Sequence, residues 1–343
     1  MAKHIAVLPC DGAGKEVVPE AIKVLRAAGA DFEFEEFDVN ADAYLRTGVP
    51  ITEATWKELQ EADAILFGAV GDPRVNDSNY LAGVLLRLRF GLDLYVNLRP
   101  ARLYADRLSP LRKEDRRKVD LLIVRENTEG LYVGMGGRFK KGTEQEVAIQ
   151  EDLNTYTGVT RILEYAFGVA RKEVVMIDKS NAMTYAGGLW QDRWKAVAAK
   201  HPKVKTRHLL VDAAAMQLVR DPTQFDVIVT GNLFGDILSD LTAELIGGMG
   251  IAPSGNINPE TRRGLFEPVH GTAPDIAGKG LANPIGSILS ASMMVRHLGH
   301  TEMADAIEGA VESAIRAGDC TRDLGGSLST GACGDAVAKR LRD

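Results

Sequence analysis

Two carboxylates four residues apart, in Gly231-Asn-Leu-Phe-Gly-Asp236-Ile-Leu-Ser-Asp240, share one face of a helix that follows a short apolar strand. Side chains so spaced have Cβ atoms about 5–6 Å apart, and two unpaired carboxylates at that range repel unless a cation lies between them. Hard oxygen donors select Mg²⁺ or Mn²⁺ over zinc. The competing account is that acids early in a helix favour its dipole. A third acid, Asp212, follows the apolar run 206–211 and is expected to project from a strand end, where α/β folds bind ligands, so it is the natural third donor. Lys179, in Asp178-Lys-Ser-Asn181, follows the run 174–177 in the same way. A solvated lysine has a pKa of about 10.4 and is a poor base, but burial beside a cation lowers it. The alternative for Lys179 is an ordinary surface position.

Arg89, Arg99 and Arg125 fall within about forty residues, and two of them interrupt apolar runs that ordinarily exclude charge. Arginine meets carboxylate through a planar fork, so such a cluster suits a ligand with two carboxylates; salt bridging is the alternative for any one of them. The segment from Glu267 through His270, Gly271, Thr272, Ala273, Asp275 and Ile276 to Asn283 is dense in backbone amides and polar tips, and a nucleotide could lie on it.

These residues must be positioned by alternating strands and helices. Apolar runs at 4–8, 32–37, 64–70, 95–100, 121–124, 174–177, 206–211 and 227–230 read as strands, with Pro100 closing the fourth, and 17–28, 53–61 and 81–92 read as helices. The class is therefore α/β. A glycine-rich basic stretch at 134–142 and the alternation at 146–150 suit an exposed hairpin. At 343 residues the chain is long for a single core, so two lobes are expected. Cys10, Cys320 and Cys333 are far apart and lack metal spacing, which argues against disulfides and structural zinc. The net charge of −6 argues against a nucleic-acid ligand. No apolar run approaches the 18 or so residues of a membrane span, and the opening run has no long apolar leader, so a cytoplasmic location is expected. The loop Asp11-Gly-Ala-Gly invites a dinucleotide-fold reading, but Val17 stands where the third glycine belongs, and a tight βα turn is preferred.

Taken together, the runs Asn97-Leu-Arg-Pro, Arg125-Glu-Asn-Thr-Glu-Gly, Gly231 to Asp240, Glu267 to Gly278 and Asp323-Leu-Gly-Gly resemble the β-decarboxylating dehydrogenases, in that family's order and over nearly the whole chain. The resemblance implies an isopropylmalate dehydrogenase-like two-domain fold with a central cleft, not a Rossmann fold. It places a discontinuous cofactor-binding domain at 1–94 and 249–343, and a second domain at 95–248 that dimerises and carries an arm near 134–150. It implies a homodimer, or a dimer of dimers, with shared sites. Arg89, Arg99, Arg125 and Asn181 then bind the substrate, Asp236, Asp240 and the partner subunit's Asp212 hold Mg²⁺ or Mn²⁺, the partner subunit's Lys179 is the base, and Tyr132 is the general acid. Glu267, His270, Gly271, Thr272, Ala273, Asp275, Ile276 and Asn283 contact NAD, Asp275 falling where a carboxylate would repel a 2'-phosphate.

Specificity in this family lies on the helix before Arg89. Leu85 and Leu86 suit an isopropyl group, whereas Gly83 and Leu85 stand where isocitrate users carry serine and asparagine. The expected reaction is oxidation and decarboxylation of 3-isopropylmalate to 4-methyl-2-oxopentanoate, in leucine biosynthesis. Ala82, Asn127 and Glu129 depart from the common isopropylmalate pattern and 136–144 resembles tartrate and D-malate dehydrogenases, so those stand second, with homoisocitrate and isocitrate after them. A noncatalytic regulatory subunit would show gaps in the set of three arginines, three aspartates, lysine and tyrosine, and none is missing.

Overall fold

Along β1 (Lys3–Cys10), Ile5 and Val7 join one buried cluster while Ala6, Leu8 and Cys10 join another. Successive strand residues point to opposite faces, so a strand apolar at every position must be covered on both. The computed structural model, which describes residues 2–342, shows that cover: helices including Gly14–Ala27, Ile285–His297 and Thr301–Ala317 supply the cluster on one face of a central sheet, and Ala41–Thr47, Glu53–Glu61 and the helical stretch 78–91 supply the other.

The remaining strands are β2 (Phe32–Glu36), β3 (Ala64–Ala69), β4 (Val96–Arg102), β5 (Asp120–Glu126), β6 (Gly136–Phe139), β7 (Val147–Gln150), β8 (Glu173–Asp178), β9 (Lys205–Leu210), β10 (Val227–Thr230), β11 (Pro253–Asn258) and β12 (Arg263–Pro268). Ten of them form one sheet in the order β2-β1-β3-β12-β11-β4-β5-β10-β8-β9, and β6 and β7 form a separate antiparallel hairpin at the expected arm. Two parallel groups, β2-β1-β3-β12 and β5-β10-β8-β9, are joined through antiparallel β11 and β4.

Several local expectations are corrected. Pro100 does not close its strand: β4 continues to Arg102, and β11 pairs with β4 only from Val96 to Leu98, so the missing N–H of Pro100 lies beyond that ladder. The run 206–211 ends at Leu210, and Asp212 lies in the first turn of the helix Val211–Arg220 rather than at a strand tip. The helix read at 81–92 comprises Ser78–Leu81, a π-helical turn at Ala82–Leu86 and Arg87–Gly91. Strands β11 and β12 and the helices after Asn283 were not among the expected elements.

The first loop is a tight turn, as preferred. Gly12 has φ +52°, and a Cβ there would lie 2.1 Å from the carbonyl oxygen of Thr272, so the glycine allows close packing of two loops. Asp11 is buried and accepts from the backbone N–H groups of Ala41 and Gly71 and from the Tyr80 hydroxyl, at 2.8, 2.9 and 2.6 Å. The three cysteines are free and buried. Among the described residues no helix is long and apolar enough to cross a membrane.

Candidate active site

Arg125 leaves β5 fully buried and is held on three sides. Its Nε and Nη2 donate to Asn232 Oδ1 at 2.9 and 2.7 Å, and its Nη1 donates to Asp236 Oδ1 at 2.5 Å. Gly235 makes room for it, since a Cβ there would sit 2.5 Å from the arginine Cγ. The Tyr132 hydroxyl donates to the other Asp236 oxygen at 2.9 Å. Arg99, from β4, approaches Asp236 at 3.8 Å and Asp240 at 3.7 Å. Both acids lie beyond the first turn of the helix Asn232–Ile246, which contains no acidic residue, so the helix-dipole account does not apply to them.

Arg87 and Arg89 are two residues apart on a helix and so point to opposite sides. Arg87 stacks over Trp56 and donates to the Ile51 carbonyl, while Arg89 turns inward and donates to Glu267 Oε1 at 2.8 Å. The Arg89 Nε is buried without a hydrogen-bond partner. A Cβ at Gly83 would meet the Pro50 ring, at 2.5 Å from Cγ, so position 83 packs on that loop.

The electrostatics call for an anion. Burial and neighbouring Arg99 push the Arg125 guanidinium down to about 9, against the pull of Asp236. Burial likewise lowers Arg99, with Arg89 adding to it. For Asp236, burial opposes ionisation, but Arg125, Arg99 and the Tyr132 hydroxyl outweigh it and hold the carboxyl below its usual range. Asp240 goes the other way: burial and the Asp236 charge raise it despite Arg99. Burial and Asp236 also raise the Tyr132 phenol, which keeps its proton.

Lys179 and Asp212 pair with each other at 2.5 Å, Asp212 exposed and Lys179 half-buried where it lines a cavity that also touches Asn232, and Asn181 lies in the exposed turn that follows Lys179. The Lys179 contact holds the Asp212 carboxyl below its usual range. Among the described residues no three His, Cys, Asp or Glu side chains converge as a metal-binding group.

Of the residues expected to hold a nucleotide, His270, Ala273, Ile276 and Asn283 line a cavity of about 500 Å³ with Ala13, Leu281, Arg322 and Asp323. The His270 Nε2 is buried there without a partner, and burial lowers the ring below its ordinary value. Thr272 anchors the loop instead, its carbonyl accepting from Ala13 N–H at 2.8 Å. Gly271 and Asp275 are exposed and do not line the cavity. Glu267 is no loop residue: it lies in β12, bonded to Arg89 and Asn256. The sequence reading missed Asp323, which accepts from Asn283 Nδ2 at 2.8 Å, and Asn232; both lie inside motifs already singled out. Asn127 and Glu129, the departures from the isopropylmalate pattern, engage other parts of the protein: Asn127 donates to the Leu94 carbonyl and Asn256, and Glu129 accepts from Thr155 N–H at 2.9 Å.

Residues 4–337 match the family model described as isocitrate/isopropylmalate dehydrogenase. The 3-isopropylmalate dehydrogenase of Corynebacterium kroppenstedtii is 48% identical over 98% of this chain and 99% of its own length, and that of Thermobifida fusca is 46% identical over 99% and 98%. The crystal structure of isocitrate dehydrogenase from Methylococcus capsulatus superposes with a TM-score of 0.92 at 36% identity, covering 99% of this chain and 100% of that one. The fold expected from the resemblance is the fold found, and the chain belongs to the isocitrate/isopropylmalate dehydrogenase family.

Proposed function

We propose that the chain oxidises and decarboxylates 3-isopropylmalate with NAD, giving 4-methyl-2-oxopentanoate and CO₂ in leucine biosynthesis. As a member of its family it is a decarboxylating dehydrogenase. One observation carries the reading: three arginines, each under 9% exposed, are gathered with Arg99 and Arg125 on Asp236 and Arg89 on Glu267, and Arg89 keeps a buried donor without an acceptor. A ligand with two carboxylates supplies the missing acceptors.

Asp240 makes no hydrogen bond and is raised by burial, and with Asp236 it offers a hard oxygen pair that fits a divalent cation. With a third donor from Asp212 of the partner subunit, in a homodimer, the two would hold Mg²⁺ or Mn²⁺. The apolar cavity with the free His270 nitrogen fits the adenosine of NAD, and Asp275, one residue before the cavity-lining Ile276, would disfavour a 2'-phosphate. When bound, the cation would supply Lewis-acid polarisation of the substrate's hydroxyl and ketone oxygens, and NAD a hydride acceptor.

The chain's own groups do the rest. Arg89, Arg99 and Arg125 fix the carboxylates and thereby the carbon that loses hydride. The partner subunit's Lys179 accepts the hydroxyl proton, and Tyr132 returns a proton to carbon once CO₂ has left. Leu85 and Leu86 face the isopropyl group. Two lobes, 1–94 with 249–343 and 95–248, enclose the cleft. D-malate or tartrate is the second reading, on the likeness of 136–144. Comparing kcat/KM for 3-isopropylmalate, D-malate, tartrate, isocitrate and homoisocitrate with NAD and Mg²⁺ tests it: 3-isopropylmalate is expected to rank first. Another acid in that place overturns the substrate, and no NADH from the purified chain overturns catalysis.

A further inference from the structure

Arg89 and Arg99 come from opposite sides of the β11–β4 junction, yet one buried chain of hydrogen bonds connects them. Arg99 Nε donates to Asn97 Oδ1 at 2.9 Å, Asn97 Nδ2 donates to Asn256 Oδ1 at 2.9 Å, and Asn256 Nδ2 donates to Glu267 Oε1 at 2.9 Å. The same Glu267 oxygen accepts from Arg89 Nη2 at 2.8 Å. Asn97 and Asn256 have no exposure to solvent, and Glu267 has 6%.

The direction of this chain is fixed by its ends. A guanidinium only donates and an ionised carboxylate only accepts, so each amide between them must present oxygen toward Arg99 and nitrogen toward Glu267. Each amide then polarises the next, which strengthens a series of bonds held away from water. Asn127 Nδ2 donates to the same Asn256 oxygen at 3.0 Å, and Asn97 Nδ2 also reaches Ser254 Oγ at 2.9 Å. Asn256 is thus the node: its oxygen serves the β4 side and its nitrogen serves the β12 side.

We infer that Asn256 is a positioning residue that fixes Arg89 and Arg99 relative to each other, and so sets the spacing of the two carboxylates the site accepts. The inference rests on the proposed role of those arginines in holding the substrate. Asn256 touches neither substrate nor cofactor and acts only through Glu267 and Asn97.

The test exchanges the amide and the acid. Asn256→Asp keeps the shape and still accepts from Asn97 and Asn127, but it cannot donate to Glu267 and sets two carboxylates against each other. It is expected to raise the KM for the hydroxy dicarboxylate about 10- to 100-fold, the scale of a lost charge-assisted bond, with a much smaller change in the KM for NAD. The double variant Asn256→Asp, Glu267→Gln relieves the facing charges, but its glutamine cannot both donate to the new carboxylate at 256 and accept from Arg89 at the one oxygen position that serves both, so it is expected to keep a raised dicarboxylate KM. An unchanged dicarboxylate KM in Asn256→Asp, or in the double variant, overturns the inference. Arg89→Gln and Arg99→Gln serve as controls: if they leave the dicarboxylate KM unchanged, it is the reading of the site that fails. Thermal unfolding of each variant separates misfolding from mispositioning, and Asn256→Ala, which removes both halves of the node without adding charge, must also raise the dicarboxylate KM selectively.

Discussion

The Arg125–Asp236 contact and the Lys179–Asp212 contact have the same N–O distance, 2.5 Å, but different surroundings. Arg125 is 3% exposed and Asp236 34%, and both are bonded further by Asn232 and Tyr132. Lys179 is 29% and Asp212 60% exposed, and among the described residues the only ion pair either makes is with the other. A buried charge loses its solvation and needs its partner, whereas an exposed pair is screened by water and readily changes partners. The first pair is finished within one chain, while the second is available for something that arrives, which is what a site shared between subunits requires.

The largest effects test the finished pair. Asp236→Asn leaves Arg125 without its counter-charge and removes a hard oxygen donor, so NADH formation is expected to fall on the order of 10³-fold or more with the fold intact by circular dichroism. A variant keeping a tenth of the activity would break the comparison at its stronger end. Lys179→Met is expected to lose about 10²- to 10⁴-fold in kcat, the range for a missing acid–base group. Mixing the two inactive variants sharpens the contrast. If each site combines Asp236 of one subunit with Lys179 of the other, a hybrid dimer has one intact site, and a statistical mixture regains up to roughly a quarter of wild-type activity. No regain after subunit exchange would place Lys179 outside the partner's site.

What the sequence disclosed follows the same division. Asp236 and Asp240 were legible because four residues is a helical spacing, and Arg99 and Arg125 because a charge inside an apolar run must have a reason. Asn256 was illegible: Pro253-Ser-Gly-Asn-Ile-Asn carries the residues of turns, yet β11 lies in the middle of the sheet. Those polar side chains are stable there only because Asn97, 159 positions earlier, and Glu267 satisfy them, which no local pattern reveals. Asp212 was placed one element too early because Leu209-Leu210-Val211 stays apolar across the boundary, with the helix starting on Val211. Tyr132 entered only through the family resemblance, as a general acid, and its bond to Asp236 is seen only in the structure.

An intermediate effect concerns metal. Asp240 is raised in the folded state, chiefly by burial, so its contribution to stability is present while it stays protonated and is lost as pH rises through its folded-state value. A cation reverses that trend, since it binds the ionised form. Mg²⁺ at a hundredfold excess over its Kd is expected to stabilise the fold by about 2.7 kcal/mol near pH 8, and the gain should fade as pH falls into the carboxylate range. Asp240→Asn should abolish the Mg²⁺-dependent rise in Tm. A rise that persists in that variant, or one that grows toward acid pH, would move the cation away from Asp240.

The smallest effect separates two neighbouring leucines. Leu85 packs against the buried cluster around Leu88 and Tyr80, whereas Leu86 is half-buried and joins no core cluster. Truncating Leu85 therefore disturbs packing and substrate together, but truncating Leu86 isolates the substrate contact. Each buried methylene contributes about 0.8 kcal/mol, so Leu86→Ala is expected to reduce kcat/KM for 3-isopropylmalate by about tenfold, well under the limit for full loss of the side chain. D-malate has no isopropyl group to contact that leucine, and its kcat/KM should stay within about twofold, inside the effect of a surface change. An equal fall for both acids would mean that Leu86 supports the helix bearing Arg89 rather than the branched end of the substrate.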